Sequence, residues 1–571
     1  MQPYFLLLLT LIGSPALLPA AAETPLRPMV VFSEVLADPQ PPVGLPETPF
    51  IELFNRSEQS LQLAGWQLEI NGRSCVLDSF ELAARSWVVL VPAAKGGLWE
   101  GHKEVLPLKG FSSLTLTSGT LVLRSARGGV IDALAYSRTM GQAGFKRDGG
   151  WSLERKDTDH LSHSLHNWDY SLAPEGGTPG DPNSLDQLLP DEEVPRVRSL
   201  HWQDAQHLVL QFSKNLSPAA FEEAEVLVGT GPLSFTTRLE EVWNQELLLS
   251  FDRAPEAGQV LSLYWAQRPY DWAGNLLVGN EQLEVGLPEL PRAGDVVINE
   301  LLYEPPTGGS DYIELYNCSA RIVDLSSLYL SRAGEDGLPE KLFALSQHKT
   351  PFMPGTFLVV CGDHAWLRAQ YGLDDFLLLA PEEALPNYIN EGGSVLLTNR
   401  RGEVLDRMDY HAGLHNPFLD ATKGVALERL DVRAPSLSPH NWQSAAADAG
   451  YGTPGRPNSQ SAPTRVQSKS PLRTEPELFS PNGDGQDDLL YLHYAFEEAG
   501  LLCSVTIYNE RGLPVRRLVN NAPAGREGFW VWDGSDDEGR VCPPAWYVLQ
   551  VHWHGPGATP GAYRTAVALG R

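Results

Sequence analysis

Two distant parts of this chain carry nearly the same text. VVFSEVLADP (30–39) leads to PFIELFNRSEQSLQLAGWQL (49–68), and much later VVINELLYEP (296–305) leads to DYIELYNCSARIVDLSSLYL (311–330). Glu34 matches Glu300, Glu52 matches Glu314 and Asn55 matches Asn317. The pairing continues through GGVIDALAYS and GEVLDRMDYH, WSLERKD and VALERLD, and HNWDYS and HNWQSA. It closes on GTPGDPNS (177–184) against GTPGRPNS (452–459). The register is constant from Ile131–Asp132 and Leu405–Asp406 to Trp168 and Trp442, so one fold occurs twice, at 28–185 and 294–460.

Each copy reads as β structure. PFIELFN and DYIELYN alternate apolar and polar residues over strand lengths, and LTLTSGTLVLRS and GGSVLLTNRRGEVLDRMDY read as strands joined by tight turns. Only HAWLRAQYG (364–372) has a helical pattern. With 52 Gly and 45 Pro and no collagen period, turns are frequent and strands short. At 571 residues the chain exceeds one core, and the expectation is an all-β molecule of tandem immunoglobulin-like sandwiches.

The succession NELLYEP, YIELYN, then VDLSSL, with SEVLADP, FIELFN and LQLAGW in the first copy, resembles the lamin-tail domain. That resemblance implies an immunoglobulin-like sandwich serving interaction or architecture. Between the copies, 193–288 holds FSKNL and then DWAGN (271–275), and resembles bacterial immunoglobulin-like domains of the surface-layer type. QSAPTRVQSKSPLRTEPE lacks apolar periodicity and is expected to be a linker over 461–477. Beyond it, FSPNGDGQDD, VTIYNERGLPVRRL and WDGSDDEGRVCPPAWYVLQV (478–571) resemble a C-terminal immunoglobulin-like module. Related modules are the gliding-motility-associated and hook-capping ones. In the gliding-motility branch that module implies sorting by type IX secretion. This chain departs from the pattern in having Ala545 where a Gly usually precedes the aromatic strand.

The N-terminus, MQPYFLLLLTLIGSPALLPAAAETP, is apolar from Phe5 to Ile12 and ends in small residues, which predicts a signal peptide cleaved after Ala22. Pro15 and Pro19 interrupt a stretch already too short to span a bilayer, and no later segment is long enough. With 71 acidic against 43 basic residues, a net charge of −28 and no basic run, nucleic acid is excluded as a partner. The five cysteines have no CxxC spacing, and Cys503 with Cys542, or Cys318 with Cys361, are the pairs an oxidising compartment would allow.

Three clusters invite chemistry. His160, His163 and His166 in HLSHSLHNW have ligand-like spacing, but the second copy carries Ala434, Leu437 and His440 there, so a packing or capping role for His166 and His440 is expected. Glu34 with Glu52, and Glu300 with Glu314, are paired carboxylates, and their place in a repeated signature favours hydrogen bonds to neighbouring loops over acid–base work. Asn482, Asp484, Asp487 and Asp488 offer hard oxygens for calcium, the one cofactor the sequence suggests. Counting from Asn482, Gln486 falls fifth and His493 twelfth, so it is not an EF-hand. An Asx-rich turn is the alternative.

No nucleophile elbow, P-loop or HExxH is present. The expected function is a secreted or cell-surface, non-enzymatic protein for adhesion, scaffolding or extracellular interaction. Its expected partners are an extracellular protein or glycan, and secretion machinery through 478–571. The alternatives are an accessory protein of an extracellular hydrolase, or a carbohydrate-binding protein drawing on 15 Trp residues.

Overall fold

The computed structural model describes residues 29–570, apart from 143, 162–164, 218–225, 229–234, 240–244, 266–267, 280–281, 374–377, 380–384 and 462–470. The proposed signal peptide and His163 lie outside the described residues. The chain is a succession of β-sandwiches. The first repeat copy packs a six-stranded sheet against a four-stranded one. The larger sheet runs Trp168–Tyr170, Leu153–Arg155, Val30–Leu36, Phe50–Asn55, Trp87–Pro92 and Val105–Leu108. The second copy reproduces it as Trp442–Ser444, Leu427–Arg429, Val296–Leu302, Tyr312–Asn317, Phe357–Cys361 and Leu378–Leu379. In both, the smaller sheet closes an apolar core, with Phe32, Leu53 and Leu121 in one and Ile298, Leu315 and Val395 in the other.

Alternation in FIELFN and YIELYN predicts one wet face, yet nearly every residue of these strands and of Val30–Leu36 and Val296–Leu302 is buried. The outer face is covered too. In copy one the 3₁₀ segment Ala93–Trp99 sets Trp99 on Phe50, and in copy two the helix His364–Tyr371 packs Leu367 against Leu302 and Val359. That helix follows its sequence signals: the Trp366 amide donates to Asp363 Oδ1 at 3.0 Å, and Gly372 ends it at φ +68°.

The unit between the copies joins a four-stranded sheet (Val197–Trp202, His207–Phe212, Glu246–Phe251, Phe235–Leu239) to a three-stranded one. Its two sequence motifs meet: buried Lys214 of FSKNL contacts Asp271 of DWAGN at 2.6 Å and Asp191 at 2.5 Å. Asp271 Oδ1 also accepts from the Ala273 and Asn275 amides, fixing the turn. The C-terminal unit pairs a three-stranded sheet (Leu472–Glu475, Leu490–Ala495, Glu527–Trp532) with a five-stranded one (Leu478–Phe479, Gly561–Leu569, Ala545–His554, Leu501–Tyr508, Pro514–Ala524).

Two expectations are corrected. The linker does not extend to 477: Leu472–Glu475 is a strand paired with Leu490–Ala495, because Leu472 buries in the C-terminal core. All five cysteines are free thiols, so neither Cys503 and Cys542 nor Cys318 and Cys361 are joined.

The units dock directly. Asn215 Nδ2 donates to Leu161 O, and the Trp202 amide donates to Lys349 O at 2.8 Å. Between the second copy and the C-terminal unit, buried Gln460 donates from Nε2 to Ala524 O and accepts at Oε1 from the Gly500 amide, each at 3.0 Å. Tyr494 OH donates to Asp448 Oδ2 at 2.6 Å across the same junction.

Candidate functional site

The paired carboxylates are in fact triplets. The ladder sets Glu34 opposite Glu52 on one side and Glu154 on the other, and sets Glu300 between Glu314 and Glu428. All six side chains are 0% exposed. The third member, in the LER shared by both copies, is legible in sequence as an identity, but nothing in sequence shows which strands are neighbours.

Three abutting carboxylates persist in a core only if donors surround them, and the closing GTPGxPNS segment supplies most of them. In copy one, Glu34 Oε1 accepts from Ser152 Oγ at 2.5 Å and from the Thr178 amide at 2.9 Å. Glu52 accepts from Ser33 Oγ and the Gly180 amide, both at 2.6 Å. Glu154 accepts from Thr178 Oγ1, Ser184 Oγ and the Leu185 amide. Copy two repeats the pattern with Thr453, Gly455, Ser459 and the Gln460 amide, with Asn299 replacing Ser33 as donor to Glu314. Asn183 and Asn458 close it by donating to backbone carbonyls of two strands each.

Burial, and then the charge of Glu154, pushes Glu34 up to about 8; burial, and then Glu428, does the same to Glu300. Burial raises Glu52 and Glu314 well above the carboxylate range, with Glu34 and Glu300 as their respective charged neighbours. Carboxyls that hold protons near neutrality have the right acidity for catalysis. These, however, have no exposed surface, and their oxygens face the protein's own donors.

A second repeated element fixes the sheet-to-sheet crossing. Arg155 Nη1 contacts Asp132 Oδ2 at 3.2 Å, and Arg429 Nη1 contacts Asp406 Oδ2 at 2.9 Å, all four side chains being under a tenth exposed. The Asp in turn accepts the Phe32 or Ile298 amide, left over at the bulge in the first strand.

His160 Nδ1 lies 2.9 Å from Leu189 O, while His166 and His440 are exposed, so the packing expected of them falls instead to buried Asn167 and Asn441 and to Trp168 and Trp442. Asn441 Nδ2, for example, donates to Asp431 O. Asn55 and Asn317 tie their strand ends to the following turn, accepting from the Ser57 and Ser319 amides.

In the acidic loop, Asp488 draws the others together. Its Oδ1 accepts the Asn482 and Gly483 amides at 3.0 and 2.7 Å, and its Oδ2 accepts the Gly485 amide at 2.8 Å. These bonds, Gly483 first, hold its carboxyl below the ordinary range. Asp484 accepts from the Gln486 amide and Asn482 Nδ2, and Asp487 sits at φ +51° with its carbonyl accepting the Ser480 amide. Among the described residues, no group of three or more His, Cys, Asp and Glu side chains is gathered around a common point as an ion would require. The loop leans on the WDG turn: at Gly534 (φ +78°) a Cβ would stand 2.9 Å from Pro481 Cγ, so the two motifs specify one corner.

No curated protein matches the chain at a significant level. Among solved structures, the N-terminal part of the bacterial S-layer protein SbsC is 13% identical over 29% of this chain and 40% of its own, with a TM-score of 0.15. A DUF4876 family protein from Bacteroides thetaiotaomicron is 10% identical over 43% and 90%, with a TM-score of 0.19. PorZ, a type-IX secretion system component of Porphyromonas gingivalis, is 11% identical over 93% and 74%, with a TM-score of 0.15. Residues 24–138 match the Lamin Tail Domain family model. The six-stranded sheet reaches past that stretch to Leu153–Arg155 and Trp168–Tyr170.

Proposed function

We propose that this chain is a secreted or cell-surface, non-enzymatic protein whose docked sandwiches present binding surfaces to an extracellular partner. The observation that carries this reading is how the repeated polar residues are used. Glutamate triplets, Asp–Arg pairs and clamp asparagines are enclosed and bonded to the chain's own backbone. Residues repeated for architecture leave function to surfaces that differ between units. Export would begin with the leader over residues 1–22. The 478–571 module would then carry the type IX address, on the strength of SPNGDG, IYN and WDG occurring together. No helix among the described residues is long and apolar enough to cross a membrane.

Purified mature protein, screened against nuclease, peptide and glycan substrates and against immobilised matrix proteins and glycans, tests the reading. Binding without turnover is the expected result; turnover of any substrate overturns it. Removing 475–571 tests the address, since unchanged surface display would dismiss type IX export.

A further inference from the structure

The outer face of the C-terminal three-stranded sheet faces solvent, yet it carries an aromatic corner. The register sets Arg473, His493 and Phe529 abreast in one row, and Glu475, Tyr491 and Val531 in the next. Tyr491 and His493 are near-parallel, with ring centroids 6.1 Å apart at 24°. Phe529 leans across both, 5.5 Å from Tyr491 at 65° and 5.8 Å from His493 at 55°. Phe529 is 50% exposed, unlike the core aromatics Tyr494 and Trp530 on the other face of the same strands. A concavity of about 400 Å³ opens beside His493 and Phe529, lined also by Arg473 and Glu527, with Tyr491 and Glu475 in the adjoining row of the sheet; its size suits a small-molecule or sugar site.

The charge at the rim limits what can sit there. Arg473 Nη1 and Glu475 Oε2 are 2.6 Å apart and neutralise each other, with His493 Nε2 3.9 Å from the same carboxylate. A strongly anionic ligand would meet a chain of net charge −28, and a cationic one finds Glu475 already paired with Arg473, with Glu527 as the carboxylate outside that pair. The occupant that fits is uncharged, with an apolar face for the rings and an edge of hydroxyls for the guanidinium and carboxylates. A pyranose has that build: its C–H face packs on aromatic rings, and its equatorial hydroxyls both donate and accept.

We propose that Tyr491, His493 and Phe529, with Arg473 and Glu475 at the rim, form a binding site for an uncharged glycan chain. This deepens the interaction reading above and rests on it.

The test is affinity electrophoresis of the mature chain in gels containing soluble β-glucan or xylan, with a carboxylated polysaccharide as a separate arm. The neutral polymers should retard the wild type. Phe529→Ser and Tyr491→Ser should each weaken that retardation by about tenfold, the order expected of one lost ring contact, and Phe529→Tyr should keep it. Near-UV circular dichroism shows whether each variant is folded. No retardation by either neutral polymer, retardation only by the carboxylated one, or retardation unaltered in folded Phe529→Ser would each overturn the site. Release of reducing ends would instead overturn the non-enzymatic reading, so the two failures are distinct.

Discussion

Replacing Glu34 by Gln tests whether the buried Glu34 carboxyl is held protonated. Burial moves Glu34 from an ordinary carboxylate value to about 8. A group whose folded pKa is raised stabilises the fold fully below its unfolded value, and that stability is lost as pH rises through the folded value. The window here runs from about 4.5 to about 8. Each pH unit inside it is worth about 1.4 kcal/mol per group, so by pH 7 the wild type has given up about 3 kcal/mol relative to acid. This figure is for Glu34 alone; Glu52, coupled to it and raised by burial, adds to the loss in the same direction.

Glutamine is neutral at every pH, and the site accepts it. Its carbonyl takes the Ser152 and Thr178 donors at the Oε1 position. Its amide then lies at the Oε2 position, 3.4 Å from Thr178 Oγ1, whose own proton goes to Glu154. In thermal scans of the mature chain between pH 5 and 8, the transition of the first unit should fall as pH rises in the wild type. In Glu34→Gln the fall should be shallower but not abolished, because burial still raises Glu52, and the variant should end higher by up to about 10 °C at pH 8. A variant as pH-sensitive as the wild type, or one destabilised equally at pH 5 and pH 8, would refute a protonated Glu34.

Elsewhere the sign reverses. His201 and His348 stack across the junction of the middle unit and the second copy, centroids 4.4 Å apart, in a cleft also lined by Glu246, Asp324 and Lys349. Burial, and then His348, lowers the His201 pKa, so this junction is intact above the histidine range and weakens on acidification. Limited proteolysis should cut the junction faster at pH 5 than at pH 7.5 in the wild type, and His348→Phe should narrow that difference without removing it, since burial of His201 is the larger cause. At the acidic loop, Asp488→Ala should lower the C-terminal melting transition by freeing three amides. If Asn482, Asp484, Asp487 and Asp488 hold calcium, the ion raises that transition and a chelator reverses it; closure by Asp488 alone leaves it unmoved by either.

Period-two patterning and self-comparison reached the strands, the repeat and the sandwich class, because those depend on local order. They failed where neighbours come from afar. Glu52 is expected to bond a neighbouring loop, and it does, but sequence does not say which: its donor is Gly180, far along the chain. Leu472 sits in a Ser- and Pro-rich stretch, and only the C-terminal core makes that stretch a strand. Tyr491, His493 and Phe529 were hidden for a related reason: in LLYLHYAF and GFWVW aromatics fall on both faces, and composition does not say which face is wet.

The two copies differ at two positions that compensate each other. Glu34 receives a hydroxyl proton from Ser152, which corresponds to Ala426 in the second copy. There Tyr312 OH donates to Glu300 Oε1 instead, at 2.5 Å, from the position that Phe50 holds in the first. Phe50 with Ser152, and Tyr312 with Ala426, are thus two ways to bring one hydroxyl to the central glutamate. The glycine opening GTPG protects both. A Cβ at Gly177 would stand 2.5 Å from Glu34 Oε1 and 2.8 Å from Ser152 Oγ, and one at Gly452 would stand 2.5 Å from Tyr312 OH. Ser152→Ala alone removes a donor from a buried carboxyl and should cost about 1–3 kcal/mol. Adding Phe50→Tyr should recover most of that loss, measured as a coupling energy in a double-mutant cycle. Additive effects would mean that the hydroxyl is incidental and that the triplet depends on the backbone amides of the closing segment alone.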